Sequence, residues 1–497
     1  MTAKRIPAFL LALLLLASSL TACSGGGNAN STDTLPMTDG DPVEDTTAAE
    51  ETTADPTAFP DTNLDGYEFR AFVRGVDENS YWNCVDLYFE DYTGDDLVDA
   101  VRDRNIAIEQ KYNCTISQVE SGKNSLTEAR NLVSSGEEYS AFCLRTTYLA
   151  SLATDGSLTD LFTLPHVQLS EKWWDQNAVA DLSIGKKLYF TTGDISISCN
   201  DAMQIPVFNK TVLGNQTGMD DPYQLVRDDK WTVDKMLEMG ASVNKDSNGD
   251  GVMTDADTWG YLAYPWGPLF IYFGSGETIV KKNADDLPEL SLSGERAANV
   301  VDWMYRNLSK ANPDIISGLS AVQTAMMSED RVLFTITSVA TVRKQFRENV
   351  DSDLGVLPVP KFDENQERYY NLVVFQDTSN MWSVPKTCKD MDKAGFVLEA
   401  LAQGSTSTLR EAYYDKVISY KALRDKESLE MLDIILGSRT YDLASAFNWG
   451  GWNSYFTDAI TNSGGTNQFA SFYRKSEKKS NTAISDTIEQ LSKAAAN

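Results

Sequence analysis

The chain has 497 residues, with 43 Lys plus Arg against 72 Asp plus Glu, a net charge of −29, and a single histidine. That acidity excludes a nucleic-acid partner, since binding a polyanion rests on clustered Lys and Arg. One histidine, His166, excludes any His-pair metal site or relay between histidines. A length of this kind supports two or more lobes, and the 42% hydrophobic content supplies real cores.

The chain opens with Lys4 and Arg5, an apolar run from Ile6 to Ala17, and then Leu20-Thr21-Ala22-Cys23. A basic start, a short apolar stretch and small residues before a cut describe an export signal over residues 1–22. The run is shorter than the roughly 20 apolar residues needed to span a bilayer. Leu20-Thr21-Ala22-Cys23 resembles the bacterial lipobox, which implies lipidation of Cys23 and a protein anchored on the extracellular face of the cell membrane. Residues 24–65 hold ten acidic residues, no basic ones and no apolar periodicity. Like charges repel and nothing can pack, so residues 23–65 are expected to form a disordered acidic tether.

From residue 66 onward the pattern is α/β. Tyr67–Val73 alternates and is rich in β-formers, and Leu97–Tyr112 carries helical periodicity. A strand at Thr115–Val119, a helix around Leu126–Val133, a strand at Ala141–Leu144 and a helix at Tyr148–Ala153 follow. That alternation is the βαβ signature of a mostly parallel, covered sheet. A second series begins at Ile205–Phe208, with helices after Trp231-Thr232 and over Ala297–Leu308 and strands at Val332–Ile336 and Leu354–Leu357. The last third reads as helical, at Lys426–Leu436 and Thr482–Lys493. Five cysteines follow Cys23, with no C-x-x-C pair and no zinc-site spacing. Cys143 reads as a buried free thiol in a strand, and export permits one disulfide whose partners the sequence does not name.

Several segments then carry a family resemblance. Gly185-Lys186-Lys187-Leu188-Tyr189-Phe190, Gly193-Asp194 and Pro206-Val207-Phe208-Asn209-Lys210 are similar, in order and spacing, to the extracellular solute-binding proteins of family 1. Asp221-Pro222-Tyr223 leading to Trp231-Thr232, Thr324-Ala325-Met326-Met327 and Leu357-Pro358-Val359-Pro360 have the same look. Those are lipoprotein or periplasmic receptors that deliver sugars to ABC importers. The resemblance implies a two-lobed periplasmic-binding-protein-like fold of type 2, with a ligand cleft between the lobes, a helical C-terminal part and closure by hinge motion. It also implies crossings near Ile195–Asn200, Val374–Ser379 and Ser438–Asp442. Lobe one then takes residues 66–195 and 380–437, and lobe two takes 200–374 and 443–497. The implied partners are a carbohydrate, ABC permease subunits and the membrane through the lipid, and the receptor works as a monomer. Thr337-Ser338-Val339 carries no tryptophan where maltose-binding relatives place stacking ones.

Sugars present apolar C–H faces and many hydroxyls, so a sugar site needs aromatic platforms with polar groups at the rim. The loop Asn448-Trp449-Gly450-Gly451-Trp452-Asn453 offers two indoles beside glycines; its alternative reading is a glycine turn whose tryptophans pack in a core. Tyr264 and Trp266 are carried over by position from the family's sugar-stacking loop. Trp382 follows a proposed crossing, and Asp194 sits at the first one. Trp82, Arg145 and Tyr148 follow strands, at the ends that face ligands in open α/β sheets. Trp173-Trp174 reads as packing. Asp246, Asn248, Asp250, Val252, Thr254 and Asp257 fit positions one, three, five, seven, nine and twelve of an EF-hand calcium loop, with Gly251 at six. A structural Ca2+ in lobe two is expected, although position twelve is Asp and only one flanking helix is evident. No nucleophile-elbow, zinc-protease or P-loop motif occurs, so the chain reads as a non-enzyme. A surface-attached glycoside-active enzyme or an adhesive lipoprotein stands as the alternative.

Overall fold

The computed structural model describes residues 61–375, 377–414 and 425–496. The export signal, Cys23 and the tether as far as residue 60 lie outside the described residues. The tether ends earlier than expected: Leu64 is buried in the core, and its N–H bonds the Tyr112 carbonyl at 2.8 Å. No helix of the described residues is long and apolar enough to cross a membrane.

Two sheets organise the chain. In the first, the strands run in the order Asn380–Ser383, Ala141–Arg145, Tyr67–Val73, Cys114–Glu120. The last three are parallel to one another, and Asn380–Ser383 runs antiparallel beside Ala141–Arg145. The helices connecting them start on side-chain caps. Asp95 accepts from Leu97 and Val98 N–H ahead of helix Asp96–Tyr112, and Asn124 accepts from Thr127 N–H ahead of Ser125–Ser135. The second sheet has the order Leu354–Val356, Gln204–Asn209, Val332–Ser338, Trp259–Ala263, Ile316–Ser317. Every residue of Gln204–Asn209, Trp259–Ala263 and Val332–Ser338 is buried, as expected of strands covered on both faces.

The chain leaves the first sheet through Ile195–Asp201 and enters the second at Gln204. It returns between Val373, which bridges to Met203, and Asn380. Arg439–Thr440 pairs in parallel with Asn371–Leu372, so segments distant in sequence lie side by side at the junction. Arg439 is held there by Asp175 at 2.7 Å and Asn200 at 2.6 Å.

Two segments lie elsewhere than the expected lobe boundaries put them. Helix Lys426–Gly437 packs with the second sheet: the Tyr223 hydroxyl bonds Ser428 at 2.7 Å, and Arg227 pairs with Glu430 at 2.6 Å. The C-terminal helix Phe469–Ala496 begins beside Trp452 and Tyr455, yet its last turn reaches the first lobe, where Lys386 Nζ donates to the Ala494 carbonyl at 2.5 Å. Trp173 and Trp174 are packed in the first lobe, both donating their indole N–H to the buried Glu399 at 2.8 Å.

Candidate functional site

A cavity of about 360 Å³ opens between the two sheets. That volume lies within the range of small-molecule clefts. The first lobe contributes Tyr81 and Trp82, on the irregular segment after strand Tyr67–Val73. Asn79 shapes this segment, its Oδ1 accepting from Tyr81 N at 3.0 Å and Trp82 N at 3.1 Å. The second lobe contributes Tyr264 and Trp266, in the turn between strand Trp259–Ala263 and helix Gly267–Gly274. The junction adds Val374, Asp377 and Thr378, and Gln204, Ser320, Thr337, Ser338, Thr341 and Gln345 complete the polar wall.

Charge around the cavity is largely consumed locally. Asp377 pairs with Arg145, and its carbonyl accepts from Arg74 Nη1 at 3.0 Å. The Arg145 guanidinium also lies 4.7 Å over the Tyr148 ring. Lys344 stands 4.3 Å over Tyr81 and donates to the Tyr81 carbonyl at 2.7 Å, linking the second lobe to the first. Burial lowers the Lys344 pKa. What remains facing the space is hydroxyl, amide and aromatic surface, suited to an uncharged ligand with both C–H faces and hydroxyls.

The expected site residues separate into three groups. Trp82, Tyr264 and Trp266 line the cavity and are half-buried, with ring surface left for a ligand. Arg145 stands one contact behind it, through Asp377, and Tyr148 one further, beneath the Arg145 guanidinium. Asp194, Trp382, Trp449 and Trp452 do not line it. Trp382 is fully buried in the first sheet, in register with Cys143, because its strand lies inside the lobe rather than on the cleft floor. Asp194 accepts from Thr406 at 2.7 Å and sits near Arg410, and burial raises its pKa. Trp449 stacks on Phe447 at 5.1 Å and donates to Thr487 at 2.9 Å. Trp452 donates to Ser480 at 3.0 Å and packs against Phe472 at 5.0 Å. Gly450 and Gly451 have φ of 72° and 76°, and a Cβ at Gly450 would collide with Ser480 Oγ. Gly450 therefore lets the turn press against the C-terminal helix, not against a ligand, while Gly451 supplies the left-handed backbone of the same turn.

Sequence reading missed Tyr81, Gln204, Phe270, Gln345 and Asp377 in the lining. Tyr81 adjoins the expected Trp82, and Asp377 lies within an expected crossing. Gln345 and Phe270 sit on helical turns with no local signal.

The Asp246–Asp257 loop folds around its own carboxylates. Asp246 accepts from Gly249 N at 2.7 Å and Gly251 N at 2.8 Å, and Asp250 accepts from Val252 N at 2.8 Å. Asn248 accepts from Asp250 N at 2.8 Å. Asp257 accepts from Thr254 N at 2.7 Å and Ser247 N at 3.0 Å, bonds that lower its pKa. Gly249 and Gly251 take φ of 74° and 83°, the conformation the tight turn requires.

No family model and no curated protein matches the sequence. Solved structures do match in fold. The cyclo/maltodextrin-binding protein complexed with maltotetraose superposes with a TM-score of 0.53 at 14% identity, over 86% of this chain and 96% of that one. UspC of M. tuberculosis gives 0.55 at 14% identity, over 84% of this chain and 100% of its own. The maltose-binding periplasmic protein MalE of Listeria monocytogenes, in complex with maltose, gives 0.52 at 14% identity, over 86% and 99%. The chain therefore has the two-lobed α/β fold of these structures, over nearly their whole length.

Proposed function

We propose that the chain is the substrate-binding lipoprotein of an ABC importer, capturing a carbohydrate between its lobes and delivering it to membrane permease subunits. The observation that carries this reading is the composition of the cleft. Aromatic rings enter from both lobes, Tyr81 and Trp82 from one and Tyr264 and Trp266 from the other, around a wall of neutral hydroxyls and amides. Pyranose rings stack on such rings and hydrogen-bond to such groups. The fold shared with maltose- and maltotetraose-bound proteins supports the same class of ligand. In this reading Trp82, Tyr264 and Trp266 are the platforms, while Arg145, backed by the Tyr148 ring, holds Asp377 at the rim. Ligand bridges the lobes and favours the closed state, which the permease then recognises.

The proposal extends to two further features. Cys23 is the lipid attachment site that holds the receptor on the outer face of the membrane, as a monomer. The Asp246–Asp257 loop takes a calcium ion through the side chains of Asp246, Asn248, Asp250, Thr254 and Asp257 and the Val252 carbonyl, stapling the second lobe. The twelve-residue pattern and the turn already formed around Gly249 and Gly251 support this.

Titration calorimetry with maltodextrins, xylo-, cello- and mannooligosaccharides, followed by chromatography of the sugar, tests the central reading. Saturable heat with the sugar recovered intact is expected. Recovery of cleaved sugar would move the chain to the glycoside-active class, and absence of binding to any saccharide would leave the carbohydrate reading without support. Metabolic labelling with a palmitate analogue tests the anchor: Cys23→Ser should lose the label.

A further inference from the structure

Among the described residues, the five buried cysteines are free of disulfides, and two of them meet. Cys143 lies on the internal strand Ala141–Arg145, and its carbonyl accepts from Arg74 N at 2.9 Å. The Arg74 carbonyl in turn accepts from Cys84 N at 2.9 Å. This ladder brings the Cys84 and Cys143 sulfurs to 3.5 Å, with both residues buried. Cys114 and Cys199 instead direct their sulfurs to the backbone carbonyls of Ile108 and Asn380. Asp86 completes a buried group with its oxygen within 4.8 Å of both sulfurs. Its carboxylate is already engaged, by Ser196 Oγ at 2.7 Å and Ile197 N at 3.3 Å. Two adjacent sulfurs beside a carboxylate bonded elsewhere favour a link between the sulfurs over a metal held by all three.

We propose that Cys84 and Cys143 form a disulfide, a covalent strap that ties the Tyr81–Trp82 segment to the interior of the first lobe. A bonded pair needs its sulfurs about 2.05 Å apart, so rotation of the two side chains completes the approach. The oxidant is a disulfide, either oxidised glutathione or an oxidised dithiol protein of the export compartment. One cysteine thiolate attacks it, forming a mixed disulfide and releasing one thiolate. The second cysteine thiolate attacks the mixed disulfide at the protein sulfur and releases the other. Two protein thiols are thereby oxidised, one disulfide is reduced to two thiols, and the protons of Cys84 and Cys143 pass to the leaving thiolates. Burial, with Cys84 adjacent, pushes the Cys143 thiol up, so the exchange belongs to folding, before the pair is covered. Once closed over, the bond is sheltered from reductant until the lobe unfolds.

The inference concerns the first-lobe core and is independent of which ligand the cleft takes. Its test uses the full chain, unfolded in guanidinium, refolded in a glutathione redox buffer, unfolded again without reductant, alkylated and mapped by peptide mass. The Cys84 and Cys143 peptides should emerge joined, lighter by about 2 Da than their sum and separable by dithiothreitol, with Cys114, Cys199 and Cys388 alkylated. Equal alkylation of Cys84, Cys143 and Cys114 would overturn the proposal, as would pairing of either residue with another cysteine. Stoichiometric zinc on a reduced pair would overturn it too. In a Cys84→Ser variant Cys143 becomes alkylatable, and reductant no longer shifts the melting temperature as it should in the parent protein. The mapping of the parent chain decides the matter even where that variant folds poorly.

Discussion

Trp82 and Trp266 face one cavity from opposite lobes, whereas Trp449 and Trp452 have every ring face and both indole N–H groups satisfied by protein. That contrast predicts opposite phenotypes. Trp82→Ala and Trp266→Ala should each weaken saccharide binding by roughly 30-fold, about 2 kcal/mol, with little change in melting temperature. Trp449→Ala should leave affinity unchanged and cost about 3–5 kcal/mol of stability, because it empties a packed site and removes the indole hydrogen bond to Thr487. Calorimetry and denaturant melts on the same variants separate the two; unchanged affinity in both cleft variants would remove these rings from the site. The sequence could not make this distinction. An indole flanked by glycines reads alike whether the glycines admit a ligand or, as at Gly450, a neighbouring helix.

Among the elements, those with strong local periodicity were legible. Strand Tyr67–Val73 and helix Lys426–Gly437 lie within a residue of the expected spans. The C-terminal helix begins at Phe469, well before the expected Thr482, because Trp452 and Tyr455 stabilise its first turns through tertiary packing. If the acidic loop holds the proposed calcium ion, its removal should show in stability. Chelation of calcium should lower the melting temperature, since an ion at 100 times its dissociation constant adds about 2.7 kcal/mol. Asp246→Ala should abolish that sensitivity. A melting curve indifferent to EDTA and to added calcium in the parent protein would exclude the ion.

For the whole molecule, the buried carboxyls set the response to pH. Burial pushes Asp86 and Asp442 up to about 6, above the ordinary value near 4 that they regain on unfolding. The native state therefore holds these protons more tightly. The associated stabilisation is present in full below about pH 4 and is lost as pH rises through about 6. Self-repulsion of a chain with net charge −29 acts in the same direction. The melting temperature should be higher at pH 5 than at pH 7.5. Asp442→Asn, which can still cap helix Leu443–Ala446 as Asp442 does through Ser445 N–H, should narrow that difference. An equal difference in parent and variant would show that Asp442 titrates normally.

The two-lobed α/β architecture was determined by the sequence itself, because strand alternation, helix periodicity and side-chain caps act over a few residues and leave a local record. Tertiary structure alone decided which aromatics face the cleft. Tyr81, Trp266, Gln345 and Asp377 are scattered along the chain between residues 81 and 377 and converge only once the chain has crossed between sheets. It also decided that Trp382 is core and that helix Lys426–Gly437 lies with the second lobe. Burial of a side chain is a property of everything packed around it. No stretch of neighbouring residues carries that information.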